Sequence, residues 1–282
     1  MGVVVGRKMK QNDHMQGYAP INNDHAIESI SFTLSLDRPV GAAEANAIRA
    51  LHAEFAHELP ALRNPSAFRM NIDPGQEMRP SALPGVEFAF LQPDGSPIWA
   101  LRVVGDEITV ECNLYSRWAR VWGASQSYLF GTIQALAGQN SSIRIMAANL
   151  SVRDAFSGDA ELQDPSSCLR MSRFVPEMAF KNGNRWHCHT GWFEESNSFE
   201  ILHNLNLDAS AVQLINGPKS SRLSISHSLT HRIPEEVAGG GADTACNYLQ
   251  KVFETLHMQN KAVVKELLVD ETSAAIGLME NT

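Results

Sequence analysis

The chain has 282 residues, of which 44% are hydrophobic and 19% are charged, and this balance excludes a disordered composition. Its 31 acidic residues outnumber its 23 basic residues, so the formal net charge of −8 disfavours nucleic acid as the main partner. No apolar run reaches the roughly 18 residues of a membrane-spanning helix, and the segment Gly2–Gly6 is too short for a signal-peptide core. We therefore expect a cytoplasmic protein with no membrane partner.

The first part of the chain predicts an α+β unit. Residues 1–25 are polar and aperiodic, and we expect them to form a flexible arm. Residues 27–36 alternate apolar side chains with Ser and Thr, which predicts a strand, and an amphipathic helix then ends before Pro60. Residues 73–84 are rich in Pro and Gly and are predicted to be a loop. A three-stranded meander, a helix and a strand follow in order at Val86–Leu91, Ile98–Val104, Ile108–Leu114, Ser125–Ala137 and Ile143–Val152.

A second α+β unit is predicted after the polar stretch Ser157–Ser167. Residues 223–231 repeat the hydroxyl–apolar alternation of the first strand, and a long helix is predicted from Ala242 to about Val269. The preceding elements are expected at Phe174–Phe180, Arg185–Phe193 and Ile201–Ala209. The predicted fold is therefore α+β, with two related halves at residues 26–156 and 168–277. Each half is expected to be an antiparallel sheet with a long helix packed on one face.

Six different short motifs are spread along most of the chain: Ala26–Phe32, the Asp94-Gly95 turn, Tyr115-Ser116-Arg117-Trp118, Leu256-His257, Val269-Asp270-Glu271-Thr272 and a final Gly277. In these motifs the chain resembles a sporadically distributed family of uncharacterised bacterial proteins. The family has no assigned activity. The resemblance thus implies an architecture and a patchy, mobile-element-like distribution, and it transfers no catalytic residue.

Four histidines form the one candidate reactive group. His187 and His189 share a face of one predicted strand, and His227 and His231 share a face of another. If the two strands were neighbours, three or four imidazoles could bind Zn²⁺. However, His227 and His231 alternate with aliphatic residues, which favours buried, neutral, hydrogen-bonded side chains. We therefore predict no metal site and no cofactor.

The cysteines offer little chemistry. They are spread singly along the chain, and none forms the CxxC pair of a zinc or redox site, so free thiols are expected. Cys188 lies between His187 and His189, but adjacent residues on a strand point to opposite faces. Neither histidine could therefore readily activate this thiol.

Two functional hypotheses follow. The first is a non-enzymatic cytoplasmic interaction protein, namely an accessory, sensor or antitoxin-like component of a mobile defence module. Its partner would be a protein encoded by a neighbouring gene, and a homo-oligomer is left open. The alternative is a histidine-metal hydrolase that uses His187 and His189 with His227 or His231. The sequence assigns no catalytic residue to the first hypothesis.

Overall fold

The central feature of the computed structural model is one antiparallel sheet of eleven strands. The structure describes residues 17–22, 24–71, 79–139, 143–158, 163–181, 183, 185–196, 199–213 and 219–278. The strands are β1 Tyr18–Pro20, β2 Ile27–Leu36, β3 Ala61–Arg63, β4 Ser66–Asn71, β5 Arg79–Leu91, β6 Pro97–Val104, β7 Glu107–Cys112, β8 Ile145–Gly158, β9 Trp186–Ser196, β10 Phe199–Gln213 and β11 Lys219–Arg232. The helices are α1 Ala42–Ala50, α2 His52–Phe55, α3 Trp118–Gly138, α4 Met178–Lys181, α5 Glu235–Ala238, α6 Ala242–Leu267 and α7 Asp270–Ala275.

The strands lie in the order β3-β5-β6-β7-β2-β8-β11-β10-β9, with β1 paired to β8 and β4 paired to β5. Every pairing is antiparallel. The predicted α+β class is thus confirmed. A single sheet runs through the whole fold, because β8 pairs with β2 on one side and with β11 on the other.

The two strands with alternating hydroxyl and apolar residues are β2 and β11, the two neighbours of β8. Their apolar side chains point to the face that carries the long helices α3 and α6. On that face Phe32 packs against Trp122 and Phe253, with ring centroids 5.3 and 5.4 Å apart. The opposite face carries the hydroxyls, where Ser31 and Ser228 both lie in register with a serine of β8. Alternation along each strand therefore separates an apolar helix-covered face from a polar one.

Part of the predicted arm is a strand. Tyr18–Pro20 pairs with the end of β8, and the Tyr18 side chain is only 2% exposed. The arm prediction is therefore wrong at these residues, since the aromatic ring and a β-pairing hold them against the sheet. Residues 1–16 and 23 lie outside the described residues.

Two further local predictions are wrong. Within the predicted loop 73–84, residues from Arg79 onward belong to β5, and the rest lie outside the described residues. Up to Pro84 this strand pairs with β4 alone, and pairing with β6 begins at Gly85. Prolines are tolerated there because a strand with one neighbour does not need every N–H group. The segment Phe174–Phe180 is also no strand; it enters α4 at Met178.

One long helix is longer than the sequence pattern indicated, and the other matches its predicted bounds to within about two residues. Helix α3 begins at Trp118 rather than near Ser125, and α6 runs to Leu267. The helix after β2 is instead short and interrupted at Leu51. Among the described residues, no helix combines the length and apolar character needed to cross a membrane.

Candidate functional site

The four histidines of the alternative metal hypothesis lie on two different faces of the sheet. His187 and His189 are exposed on β9, and Nδ1 of His187 lies 2.6 Å from Oδ1 of Asp208. By contrast, His227 and His231 are 1% and 4% exposed, on the helix-covered face. The zinc arrangement is therefore not formed, because the sheet itself separates the two pairs. Across the described residues, no cluster of three or more His, Cys, Asp or Glu side chains could hold a metal ion.

The buried pair is hydrogen-bonded, as the alternation with aliphatic residues predicted. His231 contacts the backbone oxygen of Glu200 at 3.0 Å and the hydroxyl of Tyr248 at 2.9 Å. In His227, Nδ1 lies 2.9 Å from Oδ1 of Asn260, so this ring nitrogen donates to the amide oxygen. Burial lowers the pKa of both histidines, and for His227 the pKa falls to about 4.

A second ring extends this network towards β9. Nδ1 of His203 lies 3.1 Å from Nε2 of His227, and because Nδ1 of His227 donates to Asn260, His203 is the donor of this bond. Nε2 of His203 is buried and has no hydrogen-bond partner among the described residues. The nearest charged atom is Oε2 of Glu194, at 3.9 Å. A buried polar row thus joins β10, β11 and α6, and it ends at Asn260.

Asn260 also lines a cavity of about 950 Å³ between the sheet and α6. Its rim includes the exposed residues Asp24, Arg117, Ala119, Glu254 and Met258. Its buried floor is formed by Ala26, Asp154, Asn260 and Val264. The space is large enough for a small organic ligand, since typical ligand pockets measure about 300–1,000 Å³.

Asp154 is the most unusual residue of this floor. It lies on β8 in phase with Leu150 and Val152, so its side chain points to the apolar, helix-covered face. Asp154 is 4% exposed, and neither a hydrogen bond nor a charged partner among the described residues offsets the burial of its carboxyl. Burial raises the pKa of this carboxyl to about 7. An unpaired buried carboxyl is costly, and such groups are typical of functional sites.

Two further polar residues line the cavity near Asp154, and one of them also lacks a hydrogen-bond partner among the described residues. Nδ1 of His25 is buried and has no hydrogen-bond partner among the described residues. The His25 ring contacts the edge of Tyr115 at 5.1 Å, and both residues line the cavity. Burial, and next the charge of Asp154, raises the pKa of Tyr115 to about 12. Asp154, His25 and Tyr115 thus contribute a carboxyl, an imidazole and a phenol to the lining of the cavity.

One wall of the cavity is a rigid aromatic stack. The Trp118 ring lies parallel to His257, with ring centroids 3.8 Å apart, and it also contacts Phe32 at 5.8 Å and Trp122 at 6.0 Å. Burial, and next the charge of Lys261, lowers the pKa of His257 to about 4, so this ring is neutral at pH 7. The stack joins the first turn of α3 to α6.

Most of the motifs that carry the family resemblance meet at this cavity. Ala26 and Ile27, the segment Tyr115–Trp118, His257 and Gly277 all line it. They lie far apart in the sequence and on different elements, so no local pattern could have grouped them. The Asp94-Gly95 turn is absent from the cavity lining and closes the hairpin between β5 and β6.

Sequence reasoning did not single out Asp154 or Asn260. One signal was present, because Asp154 falls in phase with Leu150, Val152 and Phe156, where an apolar residue is expected. Sγ of Cys188 donates to the backbone oxygen of Phe174 at 3.7 Å rather than to a histidine. Comparisons with protein-family models, with curated proteins and with solved structures give no match for this chain.

Proposed function

We propose that this protein is a non-enzymatic ligand sensor that binds a small molecule in the cavity between the sheet and α6. The observation that carries this proposal is the floor of the cavity, where the buried carboxyl of Asp154 has no partner among the described residues. A folded protein rarely keeps a buried polar group unpaired unless something else satisfies it. A bound ligand would do so.

The proposal includes a protein partner that reads the ligand state. This part rests on the sequence-based hypothesis of an accessory, sensor or antitoxin-like component of a mobile defence module. The cavity favours the sensor role within that group, because its wall contains the long helix α6 and the first turn of α3. Both helices pack on the central strands, so a ligand would change the stability of the whole core.

We also propose that the sheet is built from two related halves, with a boundary different from the expected one. The first half contains β2, α1–α2, β5–β7 and α3 in chain order, and its first strand β2 lies beside its last strand β7 in the sheet. The second half contains β8, α4, β9–β11 and α6 in chain order, and its first strand β8 lies beside its last strand β11. Under this proposal β2 corresponds to β8 rather than to β11, and the boundary lies between α3 and β8 rather than at residues 156–168.

The test of the sensor function blocks the cavity from its rim. Ala119 is exposed in the first turn of α3 and lines the cavity, so Ala119→Trp would place an indole at the mouth with little cost to the core. Ser127→Trp is the matched control, on an exposed position of the same helix outside the cavity lining. Each purified protein is incubated with a small-molecule cell extract and gel-filtered, and released compounds are identified by mass spectrometry.

We expect at least one compound to be retained by the unmodified protein and by Ser127→Trp, and to be lost from Ala119→Trp. Equal retention by all three proteins, or no retained compound at all, would contradict the proposed function. Thermal unfolding of the three proteins checks that the two tryptophan variants are folded.

A further inference from the structure

We propose that the ligand carries a cationic nitrogen, of the amine, amidine or guanidine class, that pairs with Asp154 at the floor of the cavity. This inference rests on the proposed sensor function and names the chemistry of its ligand. It rests on the buried carboxyl of Asp154 as well as on the volume of the cavity.

The position of Asp154 determines which group can reach it. In register, its neighbours across the sheet are Ile27 on β2 and Ile225 on β11, so the strands supply only apolar side chains beside it. Arg153, the adjacent residue, points to the opposite face and contacts Glu28. The carboxyl therefore faces a space in which no described side chain neutralises it, and a cation is the partner that compensates a buried carboxylate best.

The other charges around the cavity balance one another, so Asp154 alone gives the lining its net negative charge. Its acidic lining residues are Asp24, Asp154 and Glu254, and its basic ones are Arg117 and Lys261. Only Asp154 among them is on the buried floor, while the two basic residues lie towards the rim. An anionic ligand that reached the floor would place a second negative charge beside a carboxyl in a low-dielectric setting, which is strongly unfavourable.

The hydrogen-bond acceptors that line the cavity complement a protonated nitrogen as well. The Tyr115 hydroxyl can accept a hydrogen bond, and so can Nδ1 of His25 in the tautomer that keeps its proton on Nε2. An ammonium has three donors and a guanidinium has five, so either can contact the carboxyl and a second acceptor at once. The apolar body of the ligand would then lie against Val264, Ile276 and the edge of the Trp118 ring.

The test uses three probes that share one indole ring and differ in charge: tryptamine is cationic, tryptophol is neutral and indole-3-acetate is anionic. Their affinities for the full chain are measured by calorimetric titration at about pH 8. We expect tryptamine to bind at least about tenfold more tightly than tryptophol, which corresponds to one charge-assisted hydrogen bond, and indole-3-acetate to bind most weakly.

Asp154→Asn removes the charge and keeps the shape. In this variant we expect the preference for tryptamine over tryptophol to fall to within about twofold, while tryptophol binding itself is retained. Glu54→Gln is the matched control, since it removes an exposed acidic charge on α2, outside the cavity lining, and it should keep the tenfold preference. Thermal unfolding confirms that both variants are folded.

The outcomes separate the two proposals. Binding of tryptophol that Ala119→Trp abolishes, with no preference for tryptamine, would overturn the cation assignment and leave the sensor function standing. A preference for tryptamine that survives Asp154→Asn would also overturn the assignment. Failure of tryptamine to bind at millimolar concentration counts against the cation as well, whereas failure of the sensor function is decided by the extract experiment.

Discussion

Substitution of Asp154 by Asn should stabilise the protein at and above neutral pH. The carboxyl is buried and unpaired among the described residues, and burial raises its pKa from the ordinary value of 3.8 to about 7. A tenfold change in proton affinity is worth about 1.4 kcal/mol, so this difference corresponds to about 4 kcal/mol at most. The asparagine side chain is uncharged at every pH and has nearly the same shape, so it avoids the cost of a buried charge.

The sign of the effect follows from proton binding. Between about pH 4 and pH 7 the folded state holds a proton on Asp154 that the unfolded state has lost, so the free energy of unfolding decreases as the pH rises through this window. Above about pH 7 the folded wild-type protein bears the full free-energy cost of a buried, ionised Asp154, and below about pH 4 the carboxyl is neutral in both the folded and the unfolded state. The variant should therefore be more stable than the wild type by up to about 4 kcal/mol at pH 8, whereas at about pH 4.5 the two proteins should have similar stability.

Urea unfolding followed by tryptophan fluorescence measures this difference at each pH. Glu254→Gln serves as the control, because Glu254 is exposed on the rim and its substitution should change stability by less than about 0.5 kcal/mol. A stability difference between Asp154→Asn and the wild type that is the same at both pH values would refute the reasoning. So would a variant that is less stable than the wild type at pH 8.

Other substitutions probe the core, the first strand and the histidines. Phe253→Ala should destabilise the protein by about 3–5 kcal/mol in urea unfolding, because the ring is fully buried against Phe32 and Trp122, and a near-neutral effect would contradict its core position. Tyr18→Ala should cost about 3 kcal/mol, since its ring is 2% exposed; an unchanged melting temperature would show that β1 contributes nothing to the sheet. His227 and His257 both have a pKa of about 4, below the ordinary 6.5, so their contribution to stability should be complete above about pH 6.5 and decline as the pH falls towards 4. A melting temperature that stays constant from about pH 6.5 down to about pH 4.5 would contradict their burial as neutral groups.

Much of the secondary structure was predictable because the chain alternates cleanly along its strands. The alternation in residues 27–36 and 223–231 predicted two strands with one apolar face, and both strands pack that face under helices. The same reasoning predicted that His227 and His231 are buried and hydrogen-bonded, since they replace aliphatic residues in phase. Local periodicity was sufficient in these cases, because the face of a side chain on a strand depends only on its parity.

Predictions that depended on pairing between distant segments were less successful. The sequence could not place β5 at Arg79 or β1 at Tyr18, because in both strands the pairing partner rather than local composition decides the conformation. It also could not show that His187 and His189 lie on the opposite face of the sheet from His227. That relation depends on the register of β9 against β10, and a shift of one residue would reverse it.

Local periodicity was enough to predict the α+β class, the apolar and polar faces of the strands and the burial of His227 and His231. Strand pairing and helix packing were needed to show that one sheet runs through the whole fold and that a cavity lies between this sheet and α6. The cavity draws its lining from five separate stretches of chain, between Asp24 and Leu278. The residue pattern within one stretch does not indicate which other stretches pack beside it. The unpaired state of Asp154 could therefore be identified only once its neighbours across the sheet were known.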